Sequence, residues 1–319
     1  MQPQLAQWLP NNLPNDLHER FKQIGRLELL KEAITLNQEW LKLWPANHPN
    51  RSNTLNNLGD AIRLQFEQSG QHKDLEEAIL LLQEALELRP VPHPKRSSSL
   101  NNLALGLRSR FYQTHQQKDL EEAISLYQEA LELQPAPHPN RSMTLNNLGN
   151  TLRLQFKQSG QHKDLEEAIS LLQEALELRP VPHPLRSSTL YNFALLLDTQ
   201  FKQSGQSTDL EEAILLSREA LELQPAPHPG RSSTLQILGL QFKSHFSQSH
   251  QPKDLEEAIS LLQESIELIP EVHPNRPQAL NNLAQTLRIH FEHSGEPRDL
   301  EEAISLAQEA QALAPSTAI

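Results

Sequence analysis

The chain has 319 residues, a formal net charge of −12 and 5% aromatic residues. Net acidity sets it against nucleic acid and anionic membranes as partners, and the lack of cysteine excludes disulfides, thiolate metal sites and a cysteine nucleophile. Ten glycines against 23 prolines, with abundant aliphatic residues, read as helices with punctuation rather than as sheet.

The opening stretch, MQPQLAQWLPNN, lacks the basic region and apolar core of a secretory signal. No apolar run approaches the ~20 residues of a membrane span. A soluble, cytoplasmic protein is the expectation.

A repeat dominates the chain. DLEEAI begins at Asp74, Asp119, Asp164, Asp209, Asp254 and Asp299, and HPxR begins at His48, His93, His138, His183, His228 and His273, always 45 residues apart. A worn first copy, Leu29 to Ile34, keeps the phase, as does Asn11, Asn12, Leu13 against Asn56, Asn57, Leu58. Seven units therefore fill one domain over 1–319: 1–45, 46–90, 91–135, 136–180, 181–225, 226–270 and 271–315, with a tail at 316–319. Residues 50–94 and 140–184 differ at only six positions, and RPVPHP alternates with QPAPHP at the crossings, as if a 90-residue pair had been duplicated. A catalytic site needs unlike residues at singular places, so near-copies argue against an enzyme.

Each unit predicts two helices. In unit two, helix A is expected to start near His48 and Pro49, with Leu55, Leu58, Ile62 and Phe66 as its buried stripe and Gly70 as a left-handed stop. Asp74 is expected to cap helix B, with Glu77 completing a capping box. Leu75, Ala78, Ile79, Leu82, Ala85 and Leu86 form its apolar face, and Pro90 ends it. Unit one departs: it holds Trp8, Trp40 and Trp44, and Trp40 stands where other units carry a small residue such as Ala85. Pro10 and Pro14 shorten its first helix, so this end reads as an altered cap or a docking surface, with self-association through the end repeats left open. In unit seven, Ala307 and Gln311 replace larger apolar residues, as a terminal helix requires.

Leu58 and Gly59 in helix A, with Ala78, Ala85 and Pro90 in helix B, resemble the small-residue and proline pattern of tetratricopeptide repeats. The run HPxRSxTLNNL is similar to the kinesin light chain variety, and the units resemble the long repeats of multidomain fungal and bacterial proteins. The family's usual unit is ~34 residues. Seven of the extra residues lie between the helix signatures, about two helical turns, so the buried stripe keeps its phase. The resemblance implies an all-α, right-handed α-solenoid with helix A lining the concave surface.

The residues offer little chemistry of other kinds. Glu76 and Glu77 with their copies read as acids at a positive helix end. The HPxR histidines stand a repeat apart and cannot share one metal ion. His290 and His293 read as a solvated pair. No Ser/His/Asp arrangement or Gly-rich phosphate loop stands out, so no cofactor or metal is expected. Glu76, Glu77, Glu84 and Glu87 are expected to point outward and make the convex face acidic.

The family's ligand-contacting positions map onto polar rows of helix A. One row reads Asn12, Asn57, Asn102, Asn147, Asn192, Ile237, Asn282; a second Asn56, Asn101, Asn146, Tyr191, Gln236, Asn281; a third Arg63, Arg108, Arg153, Asp198, Lys243, Arg288. A carboxamide offers both donor and acceptor to a peptide backbone, and a guanidinium row favours carboxylate or phosphate. The competing reading has the asparagines bridging neighbouring helices and the arginines solvated or paired with Glu. In units five and six, Tyr191, Leu195, Ile237 and Leu240 interrupt the rows with an apolar spot, either an anchor pocket or drift in a duplicated array. The leading expectation is a non-catalytic scaffold or adaptor that holds an extended, acidic peptide in the groove, its partner a protein and not nucleic acid or membrane. The alternative is a sensor arm of a larger assembly whose effector lies elsewhere.

Overall fold

The computed structural model describes residues 13–271 and 273–313. The described residues form fourteen helices and no strand. The chain divides into two compact units after Ala175.

In the first unit α1 (Leu13–Ile24) pairs with α2 (Leu27–Leu43), α3 (Arg51–Ser69) with α4 (His72–Glu87), α5 (Arg96–Thr114) with α6 (Gln117–Glu132), and α7 (Arg141–Ser159) with α8 (His162–Glu177). In the second, α9 (Arg186–Ser204) pairs with α10 (Ser207–Glu222), α11 (Arg231–Ser249) with α12 (Pro252–Leu268), and α13 (Arg276–Ser294) with α14 (Pro297–Leu313). This is the all-α repeat architecture that the periodicity and the resemblance imply. Asn11, Asn12, Trp8 and Pro10 lie outside the described residues.

The apolar stripes are buried as expected. Leu55, Leu58, Ile62 and Phe66 of α3 and Leu75, Ala78, Ile79, Leu82 and Ala85 of α4 all enter the core, while Leu86 is half-buried. Each large aliphatic side chain so buried contributes roughly 1.5–3 kcal/mol. The two helices of a pair approach closely at Gly59: a Cβ there would stand 2.6 Å from Leu82 Cγ and 3.1 Å from the Ala78 carbonyl. Gly70 ends α3 at φ +69°, its N–H donating to the Phe66 carbonyl over 2.8 Å. Units three and six lack this glycine, and His115 and His250 take the left-handed conformation instead, each ring edge-on to the phenylalanine one turn before it.

Both expected helix starts need correction. Helix A begins at Arg51, not at His48 and Pro49. Those residues form a tight turn, in which the Arg51 N–H donates to the His48 carbonyl and the Asn50 N–H to His48 Nδ1. Helix B begins at His72 with Gln71 at the cap position, so Asp74 is no cap and there is no capping box. The aspartate instead reaches back to the end of helix A. Gln65 donates to Asp74 over 2.9 Å, Arg110 to Asp119 over 2.7 Å, and His290 Nδ1 lies 2.6 Å from Asp299. His290 is thus not a solvated residue, and the His293 ring packs edge-on against Phe246.

The HPxR arginine ties the parts of the repeat together. Arg51 donates to Glu84 at 2.8 Å from Nη2 and to the Trp44 carbonyl at 3.2 Å from Nη1. One guanidinium therefore binds helix A to helix B and to the end of the preceding repeat. The same pair of contacts recurs as Arg96 to Glu129 and the Arg89 carbonyl, and as Arg141 to Glu174 and the Gln134 carbonyl. In the second unit Arg186, Arg231 and Arg276 repeat it on Glu219, Glu264 and Glu309. Glu84 and its copies are consequently outward, partly exposed acids that are also ion-pair partners.

Removing this arginine should loosen the array. Arg141→Ala is expected to cost about 1–2 kcal/mol in urea unfolding, since a charged hydrogen bond and a linker carbonyl lose their donor together. Arg141→Lys should recover only part, because an ammonium cannot fork between the Glu174 carboxylate and the carbonyl. The turn histidines make stability depend on pH. His93 and His183 are held below the ordinary histidine range by burial, then by the neighbouring Arg89 and Lys95 or Arg179, and His228 by burial. A lowered folded value means the unfolded chain binds protons first, so stability present above about pH 6.5 is lost as pH falls. Replacing all three with Asn, whose Oδ1 occupies the Nδ1 position but does not titrate, should flatten that slope between about pH 7 and 5.

Candidate functional site

Helix A carries the expected rows, and the helix pairing decides how far each row projects. In the first unit, Asn56, Asn101 and Asn146 are buried at 7%, 0% and 8% exposure. Asn101 donates to Thr144 Oγ1 of α7 over 2.8 Å and to its own Ser97 carbonyl. Asn56 Oδ1 accepts from Ser99 and Asn102 of α5. In this row Asn56 and Asn101 stitch neighbouring A helices together, as the bridging alternative expects.

The row beside it is more open. Asn57, Asn102 and Asn147 are half-buried. Asn57 donates to Asn15 of α1, and Asn102 to Asn56. Neither amide's donors are exhausted by one bond.

The arginine row divides in the same way. Arg63 is 6% exposed and bound to Asp60 at 2.6 Å and Glu67 at 2.6 Å. Burial opposes its charge, but the two carboxylates outweigh burial and hold it more firmly protonated. Asp60 also meets His18 at 3.1 Å and Lys22 at 3.3 Å, both from α1. Burial would raise its carboxyl, yet Arg63, His18 and Lys22 together hold it well below the carboxylate range. Arg153 is equally buried and donates to Asn150. Arg108 differs: the residue is half-buried, and its Nη1 is enclosed without a hydrogen-bond partner among the described residues.

In the second unit Tyr191, Leu195 and Leu240 are half-buried, while Ile237 is 5% exposed and belongs to the core. Asn192 and Asn281 are half-buried, and Asn282 is buried and accepts from Gln278 over 2.9 Å. Asp198 is buried and paired with Lys202. Lys243 sits below the ordinary amine range through burial and the nearby Lys202. Arg288 is exposed and paired with Glu292.

At the N-terminal end, Trp40 is 4% exposed and stacks on Trp44, which stacks on His48 at 4.6 Å between ring centres. Trp40 is therefore core rather than a docking residue. Two buried arginines at the crossings, Arg89 and Arg179, escape sequence reasoning. They are 1% and 2% exposed, and burial lowers both to about 10. Arg89 donates to Ser99 Oγ over 2.6 Å, and Arg179 to the matching Thr189 Oγ1. The alternation of RPVPHP with QPAPHP is the one signal in the sequence that sets these positions apart. No group of three or more metal-ligating side chains occurs among the described residues, and none of the described helices is long and apolar enough to cross a membrane.

Tetratricopeptide repeat models match residues 104–137 and 142–184, and a Sel1 repeat model matches 53–89, 244–268 and 277–311. None of the curated proteins matches the chain in sequence. Among solved structures, the putative kinesin light chain nearly identical TPR-like repeats of Podosopora anserina are 20% identical, cover 71% of this chain and 100% of their own, and give a TM-score of 0.49. BtubC (BKLC) of P. vanneervenii is 17% identical over 77% of this chain and 90% of its own, with a TM-score of 0.49. The human IFIT1 dimer with m7Gppp-AAAA is 15% identical over 90% of this chain and 68% of its own, with a TM-score of 0.51, a likeness of fold alone. The chain is an array of two-helix repeats with a 45-residue period, stretches of which match the tetratricopeptide and Sel1 repeat models.

Proposed function

We propose that the chain is a non-catalytic scaffold whose helix-A faces hold an extended, acidic peptide segment of a protein partner. Repeats of this type imply a protein-interaction scaffold; the peptide and its charge are our reading. The observation that carries it is the run of half-buried carboxamides Asn57, Asn102 and Asn147 along helix A, with Arg108 on α5 a half-buried guanidinium whose Nη1 is itself enclosed. A carboxamide matches a backbone amide donor for acceptor, and a guanidinium matches a carboxylate. The buried asparagines and Arg63 support this face by fixing the spacing of α1, α3, α5 and α7. In the second unit, Tyr191, Leu195 and Leu240 would add an apolar contact to the same kind of face.

Testing the arginine row requires the right member of it. Arg63→Glu would break a buried ion pair and confound binding with folding. Arg108→Glu and Lys243→Glu reverse charge at half-buried positions that hold no carboxylate partner among the described residues. Peptides selected by display against the wild type should be enriched in Asp and Glu, and Arg108→Glu should weaken them about tenfold while helicity is unchanged. Selected peptides without acidic enrichment, or equal binding by the variant, would contradict the proposal.

A further inference from the structure

The first unit contains a polar cavity of about 540 Å³ where α3, α5 and α7 begin. Asn50, Asn53, Asn57, Lys95 and Asn140 line it, and Arg89 forms part of its wall. Among the described residues no Asp or Glu lines it, in a chain whose acids outnumber Lys and Arg by 40 to 28.

Three features give the cavity a positive potential. The Arg89 guanidinium is 1% exposed and, among the described residues, donates only to neutral acceptors: the Lys95 and Ser52 carbonyls, Ser99 Oγ and Asn53 Oδ1. Its Nε has no hydrogen-bond partner among the described residues. A charge buried at such a cost without a counter-ion is an incomplete arrangement. Next, Asn50, Lys95 and Asn140 stand at the starts of α3, α5 and α7, and none of the three side chains makes a cap hydrogen bond. Three helix N-termini thus bring their positive ends toward one cavity. Finally, the exposed Lys95 adds an ammonium on a flexible stem at the rim.

We infer that this cavity is an anion-binding subsite that takes a compact carboxylate or phosphate group. The inference rests on the reading of the chain as a holder of acidic segments, and it gives the segment's anionic group a place. Arg89 acts there through its field, since its two terminal nitrogens already serve as donors, and the asparagine amides and Lys95 supply the hydrogen bonds.

The chain's own repeats supply fold-compatible variants. Gln134 and Gln224 occupy the place of Arg89 and are buried there, and Asn50 and Asn140 occupy the place of Lys95. The double variant Arg89→Gln, Lys95→Asn therefore removes both charges with residues the fold already accommodates. Trp44 lines the cavity with Trp40 stacked on it, so intrinsic fluorescence reads occupancy directly. The wild type and the variant are titrated with citrate, inorganic phosphate and an alternating glutamate–glycine decapeptide at constant ionic strength, and melting is recorded for both.

Saturable quenching by citrate or phosphate, weakened about tenfold in the variant at an unchanged melting temperature, is expected. The tighter of the two anions identifies the group the site prefers. No saturable change in the wild type, or equal affinity in the variant, overturns the subsite. If the decapeptide binds wild type and variant alike, the subsite fails while the helix-face proposal stands. If citrate or phosphate binds and is lost in the variant but no acidic peptide binds, the subsite stands and the helix-face proposal fails.

Discussion

The arginine of HPxR is the contact on which the rest of the structure depends. A two-helix repeat cannot bury its apolar face alone, so its stability comes from the neighbour it stacks on. The crossing between repeats is rich in proline, which removes backbone donors and leaves the linker carbonyls short of partners. Arg51 and its five copies answer both problems with one side chain, each joining a glutamate of helix B and a carbonyl of the crossing. Each contact is only partly shielded from solvent, so its worth singly is modest. Repeated in every unit from the second onward, it fixes the point at which helix A leaves the linker and hence which side of helix A is turned inward.

That orientation explains how the polar rows divide. Neighbours along an α-helix are about 100° apart, so Asn56 and Asn57 cannot share one environment. The helix pairing turns Asn56 and Asn101 into the seams between A helices and leaves Asn57 and Asn102 nearer the surface. At the equivalent positions Arg63 and Arg108 the difference comes from the neighbours: Asp60 and Glu67 pair with Arg63, and Leu105 and Tyr112 stand in their places on the helix of Arg108. Seam positions and more open positions thus alternate along a single stretch of sequence.

Much of the fold was legible because its signals are local. Leu55, Leu58, Ile62 and Phe66 repeat at helical spacing, and Gly70 marks a stop by its backbone alone. The Arg51–Glu84 pair was not legible, since its partners lie on different helices and meet only when the two pack. Asp74 misled for a related reason. Its distance from Glu77 is that of a capping box, but a packed neighbour, Gln65, competes successfully for its carboxylate. Of the candidate site, the face was visible as a polar stripe, whereas the depth of each residue within it depends on a helix rotation that adjacent asparagines do not encode. Arg89 was hidden in plain composition: nothing in RPVPHP distinguishes a solvated arginine from one 1% exposed.

Helix A is on this reading the working surface and helix B its support. Hydrogen–deuterium exchange of the full chain with and without a saturating display-selected ligand tests this most directly. Added protection is expected in peptides covering α3, α5 and α7, with α4 and α6 unchanged. Protection concentrated on α4 and α6, with α3, α5 and α7 unaltered, would contradict it.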